Sequence, residues 1–182
     1  VICDFALQSL GGKVLDTSAL YTPQHFRLLH CSRFTNDKRV CIHEFTDLST
    51  IAYSVISYTW RGRPMDPDEA ARDQDRIFHV HGAEDGDPIS LDVLHHICLA
   101  AIREGLSYIW LDRLCIMQES RDDKTWQIAR MHSIYRDCHV CLILPGGLRR
   151  MIGLEEETDY IHRGWTLQEC LAPPRSLVLY KW

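Results

Sequence analysis

The sequence predicts an α/β protein with a mainly parallel sheet flanked by helices, preceded by an additional β-hairpin. Three observations predict it. From residue 53 onward, short β-prone apolar runs alternate with segments of helical periodicity, the pattern of a parallel sheet covered on both faces. Gly and Pro clusters separate the runs, where regular structure stops. Two further β-prone stretches lie upstream, too close together to be joined by a crossover helix.

The first elements are Phe26 to Cys31 (FRLLHC) and Val40 to Phe45 (VCIHEF), with the polar turn Asn36-Asp37-Lys38 between them. Together they read as a hairpin added at the sheet edge. Tyr53 to Trp60 (YSVISYTW) is rich in β-branched and aromatic residues, which favour strands. It ends at Arg61-Gly62-Arg63-Pro64. Residues 61–88 are polar, acidic and Pro/Gly-punctuated, and read as a long insertion or lid.

A helix follows, with Leu91, Leu94, Ile97, Cys98, Ala101 and Ile102 on one face, Ser90 as its cap and Gly105 as its stop. Tyr108 to Asp112 (YIWLD) is a buried strand. A single helix is expected from about Asp122 to Tyr135, striped by Ile128, Met131 and Tyr135. Val140 to Leu144 (VCLIL) is the next strand, closed by Pro145-Gly146-Gly147. An acidic loop, Glu155 to Asp159, leads to a short helix around Trp165 to Leu171; Pro173-Pro174 ends it, and Leu177 to Tyr180 forms the last strand. Right-handed crossovers would make this arrangement flavodoxin-like.

At 182 residues the chain fits one domain, with residues 1–25 as an amino-terminal extension. It begins at Val1 and ends at Trp182 inside an apparent strand, as expected of a domain excised from a longer chain. The net charge of -5 argues against a nucleic-acid binder. No apolar run approaches a membrane span, and no signal peptide is visible. The eight cysteines lack the spacing of a small disulfide scaffold, so a cytoplasmic, reducing location is expected.

In open α/β sheets, ligands bind at the carboxyl ends of the strands. Tyr53 to Trp60 would deliver Ser57, Tyr58, Trp60 and Arg61 there, and Tyr108 to Asp112 would deliver Asp112, Arg113 and then Cys115 and Gln118. The last helix would bring Arg163, Trp165 and Glu169. Cys138-His139-Val140-Cys141 has no second ligand pair, and residues three apart on a strand face opposite ways, so no metal site is expected. Cys115 with His132 is a weaker nucleophile-and-base candidate. The absence of a Gly-rich loop after Tyr53 to Trp60 disfavours a flavin- or phosphate-receiver role.

Three clusters match a known pattern in order and spacing: Ser57-Tyr58-Thr59-Trp60, Trp110 to Gln118 (WLDRLCIMQ), and Arg163 to Glu169 (RGWTLQE), with Met131-His132-Ser133-Ile134-Tyr135 between the last two. The chain resembles the fungal heterokaryon-incompatibility (HET) domain from about Phe26 to Leu171. It departs from that family where Arg61, rather than Gly, follows Trp60. The resemblance implies an intracellular module that starts programmed cell death. HET domains are in turn similar to TIR domains, some of which hydrolyse NAD through a glutamate in a Trp-Cys-x-x-Glu helix. Trp165-Thr166-Leu167-Gln168-Glu169 has the same spacing, with Thr for Cys.

That second resemblance implies a TIR-like fold, NAD as substrate with no tightly bound cofactor, and Glu169 as catalytic residue. Tyr58, Trp60 and Trp165 would stack on the bases, Arg61, Arg113 and Arg163 would meet the pyrophosphate, and Ser57 and Asp112 would line the same site. The other reading is a non-catalytic module that acts as a homo-oligomer through Trp60, Trp165 and the loop from Arg61 to Pro88. The bland readings make Trp165 a packing anchor, Asp112 a turn cap or partner of Arg163, and Glu169 an exposed helix residue.

Overall fold

A computed structural model describes residues 1–181; Trp182, expected in the closing strand, lies outside the described residues. The chain begins with β1 (Cys3–Ala6) and β2 (Val14–Leu15). β3 (Phe26–His30) and β4 (Arg39–Phe45) follow, linked by the short helix α1 (Cys31–Thr35). Next come β5 (Tyr53–Tyr58), α2 (Pro67–Arg72), β6 (Ile77–Val80), β7 (Ile89–Ser90), α3 (Leu91–Arg103) and β8 (Tyr108–Trp110). The remainder is α4 (Asp112–Cys115), α5 (Arg121–Ile128), α6 (Met131–Arg136), β9 (Val140–Leu144), a 3-10 turn at Tyr160–His162, α7 (Thr166–Leu171) and β10 (Ser176–Val178).

Seven strands form one sheet in the order β1-β4-β3-β8-β5-β9-β10. β8, β5, β9 and β10 run parallel, but β1, β4 and β3 pair antiparallel with one another, and β3 pairs antiparallel with β8. The sheet is therefore mixed, and the expectation of a mainly parallel one is corrected. The reason is connection length. Parallel neighbours need a crossover of a dozen residues or more, which α3, α5 with α6, and the loop before α7 supply. The short link at 31–38 permits only an antiparallel return. The β3–β4 hairpin also lies inside the sheet, because β8 takes one flank and β1 the other. A second sheet joins β2, β6 and β7, so residues 61–88 contribute a helix and a strand.

β5 is the central parallel strand, and all six of its residues are buried. α3 forms as its pattern dictates: Ser90 Oγ accepts from the Val93 amide, while Val93, Leu94, Ile97, Cys98 and Ala101 are buried. Gly105, at φ 78°, takes the left-handed conformation that ends many helices. The expected continuous helix from 122 to 135 is instead two, broken at Ala129 and Arg130. α5 turns Asp123 and Gln127 inward and leaves Ile128 outside, whereas α6 buries Met131, Ile134 and Tyr135. The two helices bury faces of opposite character, so one straight helix cannot serve both.

The inward turn of α5 is explained by Arg27, which is fully buried on β3. Its guanidinium donates to both Asp123 oxygens at 2.9 Å and to the Cys115 carbonyl. Asp123 also accepts from the amides of Gln24 and Met117. Burial alone would raise the Asp123 carboxyl, but these hydrogen bonds hold it below its ordinary value. A lowered folded-state value means stability that is present above the ordinary carboxylate range and lost as pH falls through the lowered value.

Removing one partner of a buried pair leaves the other charge uncompensated. Asp123→Ala is therefore expected to lose roughly 3–5 kcal/mol of unfolding free energy in urea at neutral pH. The wild type should also lose stability below about pH 4 more steeply than the variant does; parallel curves would mean that Asp123 contributes no linkage.

Candidate functional site

Counted along the chain, the four parallel strands lie in the order second, first, third, fourth. In that order the connections from the first strand diverge, and the crevice for a ligand opens at the carboxyl ends of the first and third strands, here β5 and β9. β5 sends Ser57 to one face of the sheet and Tyr58 to the other, as strand alternation requires. Both hydroxyls are buried, and each meets a carboxylate from a distant segment.

On the first face, Ser57 Oγ donates to Glu169 Oε2 at 2.5 Å and lies 2.5 Å from Tyr160 Oη. A serine has one hydroxyl proton, so Tyr160 is the donor to Ser57. Arg163 holds Glu169 in a two-pronged ion pair, with Nη1 at 3.0 Å from Oε2 and Nη2 at 3.3 Å from Oε1. The turn that aims Glu169 inward is closed by Thr166 Oγ1, which donates to the Tyr160 carbonyl at 2.7 Å. Glu169 is only 4% exposed. The bland reading of an exposed helix residue is corrected: α7 turns Thr166 and Glu169 to the protein and its leucines to solvent.

On the second face, Tyr58 Oη donates to Asp112 Oδ1 at 2.5 Å, and the Arg113 amide donates to the same oxygen at 2.7 Å. Gln118 Nε2 donates to the Asp112 carbonyl. The carboxyl of Asp112 partners Tyr58, and not Arg163 as one of the bland readings allowed. Burial pushes it above its ordinary value, against the lowering effect of Tyr58 and Arg113, and the charge of Glu169 pushes it the same way.

Arg113 is buried, lies 4.2 Å from the Trp60 ring centroid, and donates to the carbonyls of Trp60 and Asp87. Trp60 stacks on Tyr58 with 6.3 Å between ring centroids. Arg61 is exposed and donates to the Asp85 carbonyl.

The structure thus brings Ser57, Arg163 and Glu169 into one hydrogen-bonded group, and Tyr58, Trp60, Asp112 and Arg113 into another on the opposite face of the same strand end. Arg61 sits at the rim. Trp165 is 48% exposed, so its reading as a packing anchor is corrected; it precedes the first residue of α7, and the helical period does not set its direction. Cys115 is buried, and burial pushes its thiol up to about 12, which leaves too little thiolate for a nucleophile. Sequence reasoning missed Tyr160, and it placed Asp85-Gly86-Asp87 in the 61–88 insertion without foreseeing its contacts with the end of β5. The acidic, Gly-containing composition of 84–87 was the only local signal for the latter.

The family model described as "Heterokaryon incompatibility protein (HET)" matches residues 53–150, which include β5, β8, Asp112 and Arg113. A curated Neurospora crassa protein, "Heterokaryon incompatibility protein 6, OR allele", is 28% identical over 146 residues, covering 72% of this chain. The chain spans 20% of that relative's length. No solved structure matches the chain significantly.

Because the Asp112 carboxyl is raised in the folded state, its contribution to stability is present below the ordinary carboxylate value and lost as pH rises through the raised one. Tyr58→Phe removes a donor that opposes this rise. The variant is expected to raise the Asp112 value further, read by carbon-13 NMR titration of the carboxyl. It should also lose roughly 1–3 kcal/mol of stability, the cost of leaving a buried carboxyl oxygen without one of its partners. An unchanged titration would show that the hydroxyl does not govern this carboxyl.

Proposed function

The chain belongs to the heterokaryon incompatibility (HET) family, and from that premise we propose that it is an intracellular cell-death module that cleaves the N-glycosidic bond of a nicotinamide dinucleotide at Glu169. The observation that carries this reading is the buried Glu169 carboxylate at the β5 edge, held by Ser57 and Arg163. The spacing of Trp165 to Glu169, similar to that of the TIR hydrolases, supports it. So does the exposure of Arg163, whose side chain is 24% exposed against 5% for Glu169; the cation can swing outward while the carboxylate stays in place.

The chemistry needs little more. Nicotinamide leaves as a neutral base from a cationic pyridinium, taking the electron pair of the C1′–N bond, so no acid has to protonate it. Positive charge develops on the ribose carbon and ring oxygen, and a fixed carboxylate beside them lowers that barrier. Water then bonds to C1′ and releases a proton, giving ADP-ribose and nicotinamide. Ser57 orients the carboxylate, and Arg163, on leaving Glu169, meets the pyrophosphate. Half-buried Trp60 and half-exposed Trp165 supply flat surfaces for the base.

Purified protein incubated with NAD is expected to release nicotinamide, and Glu169→Gln is expected to reduce that release by about a hundredfold or more. Equal turnover by the two proteins would remove Glu169 from the reaction.

A second reading, homotypic self-association, is favoured by one observation. Ile161, Leu167 and Leu171 are 73%, 71% and 74% exposed, beside half-exposed Trp165. Leu167 and Leu171 are four residues apart on α7 and share a face, an outward apolar surface of the kind that marks interaction sites. Light scattering across a concentration series should show mass rising with concentration, and Leu167→Glu with Leu171→Glu should abolish the rise. A wild type that stays monomeric at every concentration counts against assembly through α7.

A further inference from the structure

The segment Asp85-Gly86-Asp87 folds back over the carboxyl end of β5 and engages the polar groups exposed there. Asp87 Oδ2 accepts from the Gly62 amide at 2.5 Å, and Asp85 Oδ2 accepts from Trp60 Nε1 at 3.2 Å. The carbonyl of Asp85 accepts from Arg61 Nε at 2.5 Å, and that of Asp87 accepts from Arg113. The Asp87 amide donates to the Trp60 carbonyl at 3.1 Å.

Gly86 fits only because it lacks a side chain. A Cβ there would overlap the Arg113 guanidinium and lie 2.8 Å from Trp60 Nε1. Beside the strap, between Gly62 and the Pro145-Gly146 turn, a cavity of about 10 Å³ remains, no more than the space of one water.

Two arginines, a free-standing backbone amide and an indole N–H form a set of donors that suits an anion carried beside a flat ring. In this structure the strap fills that set: its carboxylates take the indole N–H and the Gly62 amide, and its main-chain carbonyls take the two arginines. We infer that the Trp60–Gly62 edge with Arg113 is a phosphate-binding cradle held shut by an acidic strap, Asp85 to Asp87, which a pyrophosphate-bearing ligand displaces. The inference rests on reading the β5 edge as a nucleotide site, and it adds the competitor that such a ligand must remove. A ligand that binds only the strap-open form has its affinity reduced by the open fraction. Removing the strap's carboxylates frees the indole N–H and the Gly62 amide, which weakens the strap and lessens that reduction.

The experiment uses inorganic pyrophosphate in metal-free buffer, so its outcome is independent of NAD turnover. By titration calorimetry, Asp85→Ala with Asp87→Ala is expected to bind pyrophosphate about tenfold or more tightly than the wild type. Adding Arg61→Ala should reverse most of the gain, which locates the ion at this edge. Equal affinity in wild type and double variant, or no binding by either, overturns the strap. Should the double variant fail to fold, hydrogen exchange on the wild type decides the matter. The Asp87 amide is expected to lose protection at saturating pyrophosphate, and unchanged protection overturns the proposal.

Discussion

Two hydroxyl groups on adjacent residues of a fully buried strand must each find an acceptor, and the rest of the site follows from that requirement. Ser57 and Tyr58 point to opposite faces at the end of β5, with almost no access to water. Leaving either unpaired would cost roughly 1–3 kcal/mol. The chain meets the demand with Glu169 on one face and Asp112 on the other, drawn from segments more than 50 residues away in sequence. That is why three distant clusters converge on one strand end. A neutral acceptor would have sufficed, as the next residue shows: Thr59 Oγ1 donates to the Pro145 carbonyl. The two carboxylates therefore bring charge beyond what packing requires, and one of them needs Arg163 to balance it. These surplus buried acidic groups at a strand edge are the observation on which the proposed site rests.

The same comparison separates the buried arginines. Arg27 is enclosed by Asp123, Glu44 and two carbonyls, and it fixes α5 to the sheet. Its network lies around β3, α5 and the end of α4. Fold-holding and site-forming charge are thus carried by different residues, and Asp123 can be altered without touching Glu169.

What was legible in the sequence was whatever depends on local pattern. β5, β9 and α3, with its Ser90 cap and Gly105 stop, followed from periodicity and turn chemistry, because each buries an apolar face. The placement of β1 and the internal position of the hairpin were not legible, since strand neighbours are chosen by contacts far apart in sequence. The helix from 122 to 135 misled for a physical reason: periodicity assumes that apolar residues go inward, but α5 buries Asp123 and Gln127 because Arg27 and the His25 carbonyl await them. α7 inverts the rule in the same way, with Thr166 and Glu169 inside and its leucines outside. The spacing from Trp165 located Glu169 without revealing its role, and no local pattern marks Tyr160 as the donor to Ser57.

Of the arginines at the strand edge, Arg113 and Arg163 differ in freedom, and that difference orders events. Arg113 is 2% exposed, lies against Trp60, and holds two carbonyls; it cannot leave without unpicking the end of β5. Arg163 has one acidic partner and an open flank. On the proposed reading, a ligand entering this edge meets one enclosed cation and one partly exposed cation. Arg163 covers Glu169 from solvent, and the carbonyl of Asp87 engages Arg113. An acidic residue shielded by its own cation, beside a cation occupied by the chain's own acidic segment, is a closed pair of half-sites.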